Sequence, residues 1–146
     1  MKIKRTIILP NIVLISLSCL LMASCNSKSV KNGMLLVTEA PQNIQALDYI
    51  GGESWRYLTG ARISAFFPGK PSSLKVITEN FFSASSPKIS YNGRFMLFTA
   101  QKKKDESWQV WEMNLNNLKC RKITSFNDNC TDPTYLPGER LVFSKL

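Results

Sequence analysis

The sequence predicts an all-β protein: a partial β-propeller of four-stranded antiparallel blades, preceded by a signal-peptide helix. Short apolar segments alternate with Gly, Pro, Asn and Ser clusters from residue 34 onward, and none keeps helical spacing for three turns. A segment also recurs, so that Gly138 follows Gly93 by 45 residues. A repeat of this length, made of short strands, is typical of propeller blades. Stacking around an axis buries both faces of each blade, which a single sheet cannot do.

The N-terminal element is an export signal. Three basic residues precede an apolar run over residues 7–22, and the run ends in Met22-Ala23-Ser24-Cys25. A basic start, an apolar stretch and small residues before a cleavage site define a secretory signal, which we assign to residues 1–24. The segment Met22-Ala23-Ser24-Cys25 resembles the lipobox of bacterial lipoproteins, with Met22 where that family usually has leucine.

The lipobox resemblance implies a lipid anchor on Cys25. Acylation with palmitate-type chains contributes about 0.8 kcal/mol per buried CH2, so two or three chains hold a protein stably on a membrane. Residues 25–33 then form the lipidated cysteine and a polar tether. We expect the protein in the bacterial cell envelope, at the outer membrane or periplasmic face if the cell is Gram-negative, because Asn26 rather than Asp follows the cysteine. An ordinary cleaved signal and an uncleaved anchor helix are the alternatives.

The charge of the mature chain, together with its motifs, indicates which classes of partner to expect. Removal of the signal leaves 16 basic and 10 acidic residues, a net charge of +6. The basic cluster Lys102-Lys103-Lys104 is followed by Asp105-Glu106, which is typical of a solvated hairpin tip. We expect the membrane as one partner, through the lipid anchor, and an envelope protein or glycan as another. No nucleic-acid partner is predicted, because no nucleic-acid-binding motif occurs.

The rest of the chain divides into three predicted repeats. Residues 34–80 form a degenerate blade, residues 86–125 a full blade, and residues 132–146 an incomplete blade. The first residues of the full blade, Ser86-Pro87, return in the last one as Asp132-Pro133. The predicted strands are Met34–Thr38, Ala61–Phe67, Lys75–Thr78, Lys88–Tyr91, Phe95–Ala100, Gln109–Asn114, Lys122–Thr124 and Leu141–Ser144.

The full blade carries a motif known from other propellers. Pro87–Phe98 reads Pro-x-Ile-Ser-Tyr-Asn-Gly-Arg-x-x-x-Phe, Trp108–Leu115 supplies a Trp-x-Met-Asn strand, and Lys122–Thr124 ends in Ile-Thr. These segments resemble the TolB-type, WD-repeat-like propeller repeat, with Tyr-Asn-Gly in place of its Pro-Asp-Gly turn. The resemblance implies a propeller fold. It does not specify one function, since such repeats occur in scaffolds, receptors and accessory domains of peptidases.

The number of predicted repeats is too small for one chain to form a complete propeller ring. The sequence holds about two and a quarter repeats, whereas propellers typically have four to eight blades. The chain is therefore a fragment of a longer, truncated protein, a homo-oligomer whose copies complete a ring together, or a domain with an open edge. An open edge of apolar strands favours aggregation.

The candidate site residues are few. The chain has no histidine, which excludes Ser-His-Asp and Cys-His catalysis and a His-ligated metal, so no catalytic residue, metal or cofactor is predicted. Trp108, Trp111 and Arg56 are the candidate binding residues, with packing as the alternative role of the tryptophans. Clustered oxygens over residues 127–132 could suit calcium, but their spacing does not match a calcium loop.

Two cysteines remain in the mature domain. Cys120 and Cys130 would lie in a compartment where disulfides form, and their spacing allows a small closed loop. A bridge would contribute about 3 kcal/mol. The two residues form either a disulfide or a pair of free thiols.

These observations support two functional hypotheses. The first is a non-catalytic, membrane-anchored envelope lipoprotein that binds protein or glycan as a scaffold or interaction module. The second is the N-terminal propeller part of an envelope peptidase or other enzyme whose catalytic domain is missing from this sequence.

Overall fold

The structure is a computed structural model that describes residues 29–41 and 57–146. These residues are all-β, as predicted, and none of them is helical. The strands, which pair only in the antiparallel sense, are β1 (Leu35–Glu39), β2 (Arg62–Phe67), β3 (Lys70–Val76), β4 (Ser83–Ile89), β5 (Phe95–Gln101), β6 (Gln109–Asn114), β7 (Cys120–Lys122), β8 (Cys130–Leu136) and β9 (Arg140–Lys145).

Within the described residues the strands form three sheets, and inside each sheet a strand pairs with its neighbours in sequence. The first sheet has the order β1-β2-β3, the second β4-β5-β6-β7, and the third β8-β9. The predicted signal peptide over residues 1–24, together with Cys25 and most of the tether, lies outside the described residues.

The sheets are held together by two apolar clusters on opposite faces of the second sheet. On one face Met96 and Phe98 of β5 pack against Ile63 and Ala65 of β2. On the other face Leu97, with Val110 and Cys130, forms the cluster to which Tyr135, Leu141 and Phe143 are added. Met96, Leu97 and Phe98 are all fully buried, which is what an inner strand covered on both sides requires. Burying one such side chain contributes about 1.5–3 kcal/mol.

The sequence repeat reappears as a repeated hydrogen-bond pattern. In the first sheet the amide of Ile63 donates to Thr78 Oγ1 at 2.9 Å, and the amide of Ile77 donates to the Ile63 carbonyl at 2.9 Å. In the second sheet the amide of Val110 donates to Thr124 Oγ1 at 2.9 Å, and Ile123 donates to the Val110 carbonyl at 2.8 Å. In both units a threonine that follows the last strand therefore accepts a hydrogen bond from the strand next to it.

The links between neighbouring sheets repeat as well. Ala84, at the start of the second sheet, donates its amide to the Ala61 carbonyl at 3.0 Å. Cys130, at the start of the third sheet, donates to the Trp108 carbonyl at 2.8 Å. The second and third sheets are thus each attached through their first strand to the preceding sheet, at the residue before β2 and the residue before β6 respectively.

The first strands of the second and third sheets share one irregularity. The ladder shifts register between Ser85 and Lys88, and again between Thr131 and Thr134. Each shift contains a residue with positive φ followed by proline: Ser86 at 56° and Asp132 at 53°. A bulge leaves a residue unpaired, so the missing proline N–H costs no ladder bond there.

One end of the stacked sheets is formed by tight turns, and we call it the hairpin-turn end. Because the strands are antiparallel, the turns at residues 31–34, 68–69, 90–94, 115–119 and 137–139 all lie at this end. In the turn at 90–94 the amide of Gly93 donates to the Ser90 carbonyl at 2.9 Å. Gly93 has φ of 69°, a conformation that favours glycine.

Four strands differ from the sequence-based prediction. Strand β8 was not predicted before Leu141, because its segment Cys130–Leu136 carries Asp and Pro. Strand β4 begins at Ser83 rather than Lys88, since Ser and Ala fill its first half. Strand β3 spans Lys70–Val76 and β7 spans Cys120–Lys122, each displaced toward the preceding turn.

Candidate functional site

The first predicted binding residue, Trp108, is part of the packing. It precedes β6 and is 4% exposed. Its amide donates to Asn129 Oδ1 at 2.9 Å, and its ring lies 5.8 Å from that of Tyr57. The backbone amide of Trp108 therefore helps to fix the loop before β8, and its buried indole presents no open face.

The second, Trp111, lies on the opposite face of β6. Its ring packs edge-to-face on Phe81, with centroids 5.0 Å apart, and Lys122 Nζ lies 5.9 Å from the ring centroid. Its Nε1 is buried without a hydrogen-bond partner. The two tryptophans are not brought together, because residues three apart on a strand point to opposite faces. Arg56, the third predicted binding residue, lies outside the described residues.

Of the two predicted alternatives for Cys120 and Cys130, a disulfide or a pair of free thiols, this structure has two free thiols. Cys120 is paired with Met113 near the end of β6, whereas Cys130 bonds to the carbonyl of Trp108 before its start. Five residues of strand separate these positions, roughly 17 Å, whereas a disulfide needs Cα atoms within about 7 Å. Partial burial raises the pKa of the Cys120 thiol, opposed by the charge of Lys102, so the thiolate is disfavoured.

A polar cluster that the sequence analysis missed lies between the second and third sheets. The Glu112 carboxylate accepts from Arg121 Nε at 2.6 Å and from the Tyr135 hydroxyl at 2.9 Å. Glu112 is 7% exposed, so it is a charged group that burial tolerates only because it is paired and hydrogen-bonded. The sequence does hold one indication of this cluster. Glu112 lies two residues after Val110 on β6, so its carboxylate is on the same buried face as that core residue.

The environment of this cluster fixes the protonation of its tyrosine. Burial, and then the hydrogen bond and charge of Glu112, raise the pKa of Tyr135 far above its usual range. Glu112 also raises the pKa of Arg121 through its hydrogen bond and its charge. The carboxylate is thus held by two donors that do not readily release protons. This arrangement suits a cross-sheet link better than proton transfer.

Several oxygens of the segment over residues 127–132 are occupied by hydrogen bonds and an ion pair within the domain. Asn129 Oδ1 accepts from Trp108, and the Gln109 amide donates to the carbonyls of Phe126 and Asp128 at 3.0 Å each. The carboxylate of Asp128 pairs with Lys145 at 2.9 Å. Across the part of the chain that the structure describes, no group of three or more His, Cys, Asp or Glu could hold a metal ion.

Two further findings concern the surface. Lys102, Lys103 and Lys104 lie in the connection between β5 and β6, exposed and followed by Asp105 and Glu106. Lys102 Nζ lies 4.5 Å from the Phe81 ring centroid. No helix within residues 29–41 and 57–146 is long and apolar enough to cross a membrane.

Comparison with known proteins shows a partial similarity to an enzyme subunit. No family model matches the chain. The chain is 29% identical to hydrazine synthase subunit alpha of Kuenenia stuttgartiensis over 111 residues, which is 75% of this chain and 14% of that protein. A solved structure of Kuenenia stuttgartiensis hydrazine synthase matches with a TM-score of 0.60 and 27% identity, over 73% of this chain and 14% of that chain. The chain therefore spans about one-seventh of the length of the relative it matches.

Proposed function

We propose that this chain is a membrane-anchored envelope lipoprotein, and that its domain is a partial propeller of TolB-type repeats. We further propose that it binds an envelope protein or glycan and does not itself catalyse a reaction. The observation that carries the proposal is the repeated unit. The bonds Ile63–Thr78 and Val110–Thr124 recur 46 to 47 residues apart, close to the 45-residue spacing of the sequence motif, in sheets stacked face to face. Stacked antiparallel sheets of this kind are the building units of propellers.

The anchor part of the proposal rests on Met22-Ala23-Ser24-Cys25 at the end of an apolar run. The non-catalytic part rests on the absence of histidine from the sequence and on the use of the described polar groups. Glu112, Gln109 and Asn129 hydrogen-bond to other parts of the domain and so stabilise it. A site for chemistry would instead place unpaired, convergent polar groups in a cleft.

The lipid anchor is tested by fractionating a bacterial host that expresses the full chain and is fed an alkyne-bearing fatty acid. We expect the chain in the membrane fraction, carrying the fatty-acid label. Cys25→Ala should lose the label and leave the membrane. Cys19→Ala is the matched control, since Cys19 lies within the signal and should not affect labelling. Equal labelling of the Cys25→Ala variant would contradict the proposal.

A second candidate function is that of a non-catalytic part of a larger envelope enzyme. The observation that favours it is the similarity to a 14% portion of an enzyme subunit. The two functions predict different coding sequence downstream of the Leu146 codon. A reading frame that continues into a catalytic domain would favour the larger enzyme, and one that adds only further repeats would favour the binding module.

A further inference from the structure

The hairpin-turn end of the domain carries a concentration of positive charge. The exposed turn-end cations are Lys31, Lys70, Arg94, Lys119 and Arg140, one within or directly after each of the five turns. None of them is in an ion pair among the described residues, where Arg121–Glu112 and Lys145–Asp128 are the pairs formed. Glu139 is the single acidic residue within these turns.

The opposite end of the sheets is mixed in charge. Lys102, Lys103 and Lys104 are followed there by Asp105 and Glu106, and exposed Glu39 and Glu79 lie at the same end. Lys145 is neutralised by Asp128. The net basic character of the domain is therefore concentrated on the turns. About seven strand residues separate the two ends, roughly 23 Å, which is more than twice the Debye length in 0.1 M salt.

The tether leaves the domain at the same end. The amide of Val30 donates to the carbonyl of Leu115 in the β6–β7 turn at 2.8 Å, which fixes the first described residues against that turn. Five residues of extended chain reach at most about 18 Å, so a lipid on Cys25 would keep this end near the bilayer. The ring of Tyr91, which is 78% exposed, lies at the neighbouring turn, where its hydroxyl donates to the Tyr135 carbonyl at 3.4 Å. Tyrosine is enriched at membrane–water interfaces.

We propose that the hairpin-turn end is a docking surface for a bilayer that contains anionic lipid headgroups. The orientation part of this inference rests on the proposed lipid anchor, whereas the charge part does not. A basic residue near an anionic bilayer contributes about 1 kcal/mol, so each turn-end cation should strengthen vesicle binding about fivefold. Docking would turn the mixed-charge end, with Lys102–Lys104, toward the aqueous compartment.

The test uses the mature acylated chain with one exposed reporter cysteine in a Cys120→Ser background, in which the remaining thiol of Cys130 is buried. One form places the cysteine at the hairpin-turn end (Asn116→Cys) and the other at the opposite end (Ser125→Cys), both exposed positions. Each carries a fluorophore whose emission rises in an apolar environment. On vesicles of phosphatidylcholine with 30% phosphatidylglycerol, we expect at least a twofold rise at residue 116 and none at residue 125. Phosphatidylcholine alone, or 1 M salt, should abolish the rise.

Matched charge variants separate docking from overall charge. Lys31→Gln with Arg94→Gln should remove the rise at residue 116, whereas Lys103→Gln with Lys104→Gln should keep it. An equal loss in both variants, a rise at both reporters, or no rise at either would overturn the docking surface.

The intact mass of the same preparation reports acylation separately. If the chain is not acylated, the anchor proposal fails, and docking is then tested by sedimentation with anionic vesicles. In that case the Lys31/Arg94 variant should bind about 30-fold more weakly than wild type. Failure of the unacylated chain to sediment would overturn docking as well.

Discussion

Buried hydroxyl groups play two different roles at the residue scale. Thr124 Oγ1 accepts the amide of Val110, whereas Thr99 Oγ1 is buried without a partner. Replacing Thr124 with valine leaves a buried amide unsatisfied, which should lower the free energy of unfolding by about 1–3 kcal/mol. Thr99→Val is the matched control and should be neutral or slightly stabilising, because it removes an unpaired polar group. Urea denaturation of both variants measures the difference, and equal losses would contradict these roles.

The Tyr135 hydroxyl should make stability depend on pH in the alkaline range. Its pKa is raised in the folded state, so its contribution is fully present below the unfolded value of about 10 and is lost as pH rises above it. At pH 8, Tyr135→Phe should cost about 1 kcal/mol through the lost bond to Glu112. The gap between wild type and Tyr135→Phe should shrink at pH 11 in denaturant titrations. A constant gap would show that the hydroxyl is not held as described.

At the scale of the single element, we predict opposite changes in stability when two turn glycines are replaced with alanine. Gly93 has φ of 69°, and Gly69 lies outside the positive-φ region, while a Cβ at either position meets nothing within 4 Å. Gly93→Ala should cost about 1–2 kcal/mol, because an L side chain is strained there. Gly69→Ala should be neutral or gain about 0.4–1 kcal/mol by restricting the unfolded chain. Thermal melts of the two variants test this, and a stabilised Gly93→Ala would show that the turn is not as described.

The elements also show why some strands could be predicted from sequence and others could not. Strand β5 reads as apolar on both faces and β6 carries the Trp-x-Met-Asn segment of the repeat, so both are predicted within one residue of their bounds. Strand β8 carries Pro133, which normally argues against a strand. Only the bulge at residues 131–134 makes that proline tolerable, and a bulge is a property of the paired strands rather than of one segment.

The site was less predictable than the fold for a related reason. The alternation of side chains along a strand puts Trp108 and Trp111 on opposite faces, but it does not say that Tyr57 and Phe81 cover them. The Glu112–Arg121–Tyr135 cluster joins residues from two sheets. Such a contact depends on how the sheets stack, which single-sequence patterning does not contain.

At the scale of the whole molecule, the second sheet is the shared wall of both apolar clusters. Leu97 is fully buried on the face toward the third sheet, and Val142, 45 residues later, is 47% exposed. Leu97→Ala should lower the free energy of unfolding by about 2–5 kcal/mol. Val142→Ala should cost less than about 1 kcal/mol in an isolated chain, because its face of the third sheet is open. Urea denaturation of the two variants checks the contrast, and equal losses would contradict it.

The exposed face of the third sheet, which carries Val142, also tests whether several copies complete a ring. If a second copy covers the third sheet, the melting temperature should rise with protein concentration. Val142→Asp should remove that dependence, because it places a charge on the face that the second copy would cover. Leu97 is buried within a single chain, so its burial does not depend on a second copy. Light scattering at matched concentrations checks the mass of the assembly. A concentration-independent monomer would exclude completion by identical copies.

Attachment of this β-sheet domain to a membrane through Cys25 is the proposal on which its location in the envelope depends. It is measured most simply as the intact mass of the mature chain purified from the membranes of a bacterial host. We expect a polypeptide that begins at Cys25 and carries the added mass of two or three acyl chains. A chain that begins at another residue without acyl groups, or that retains Met1, would contradict the lipid anchor.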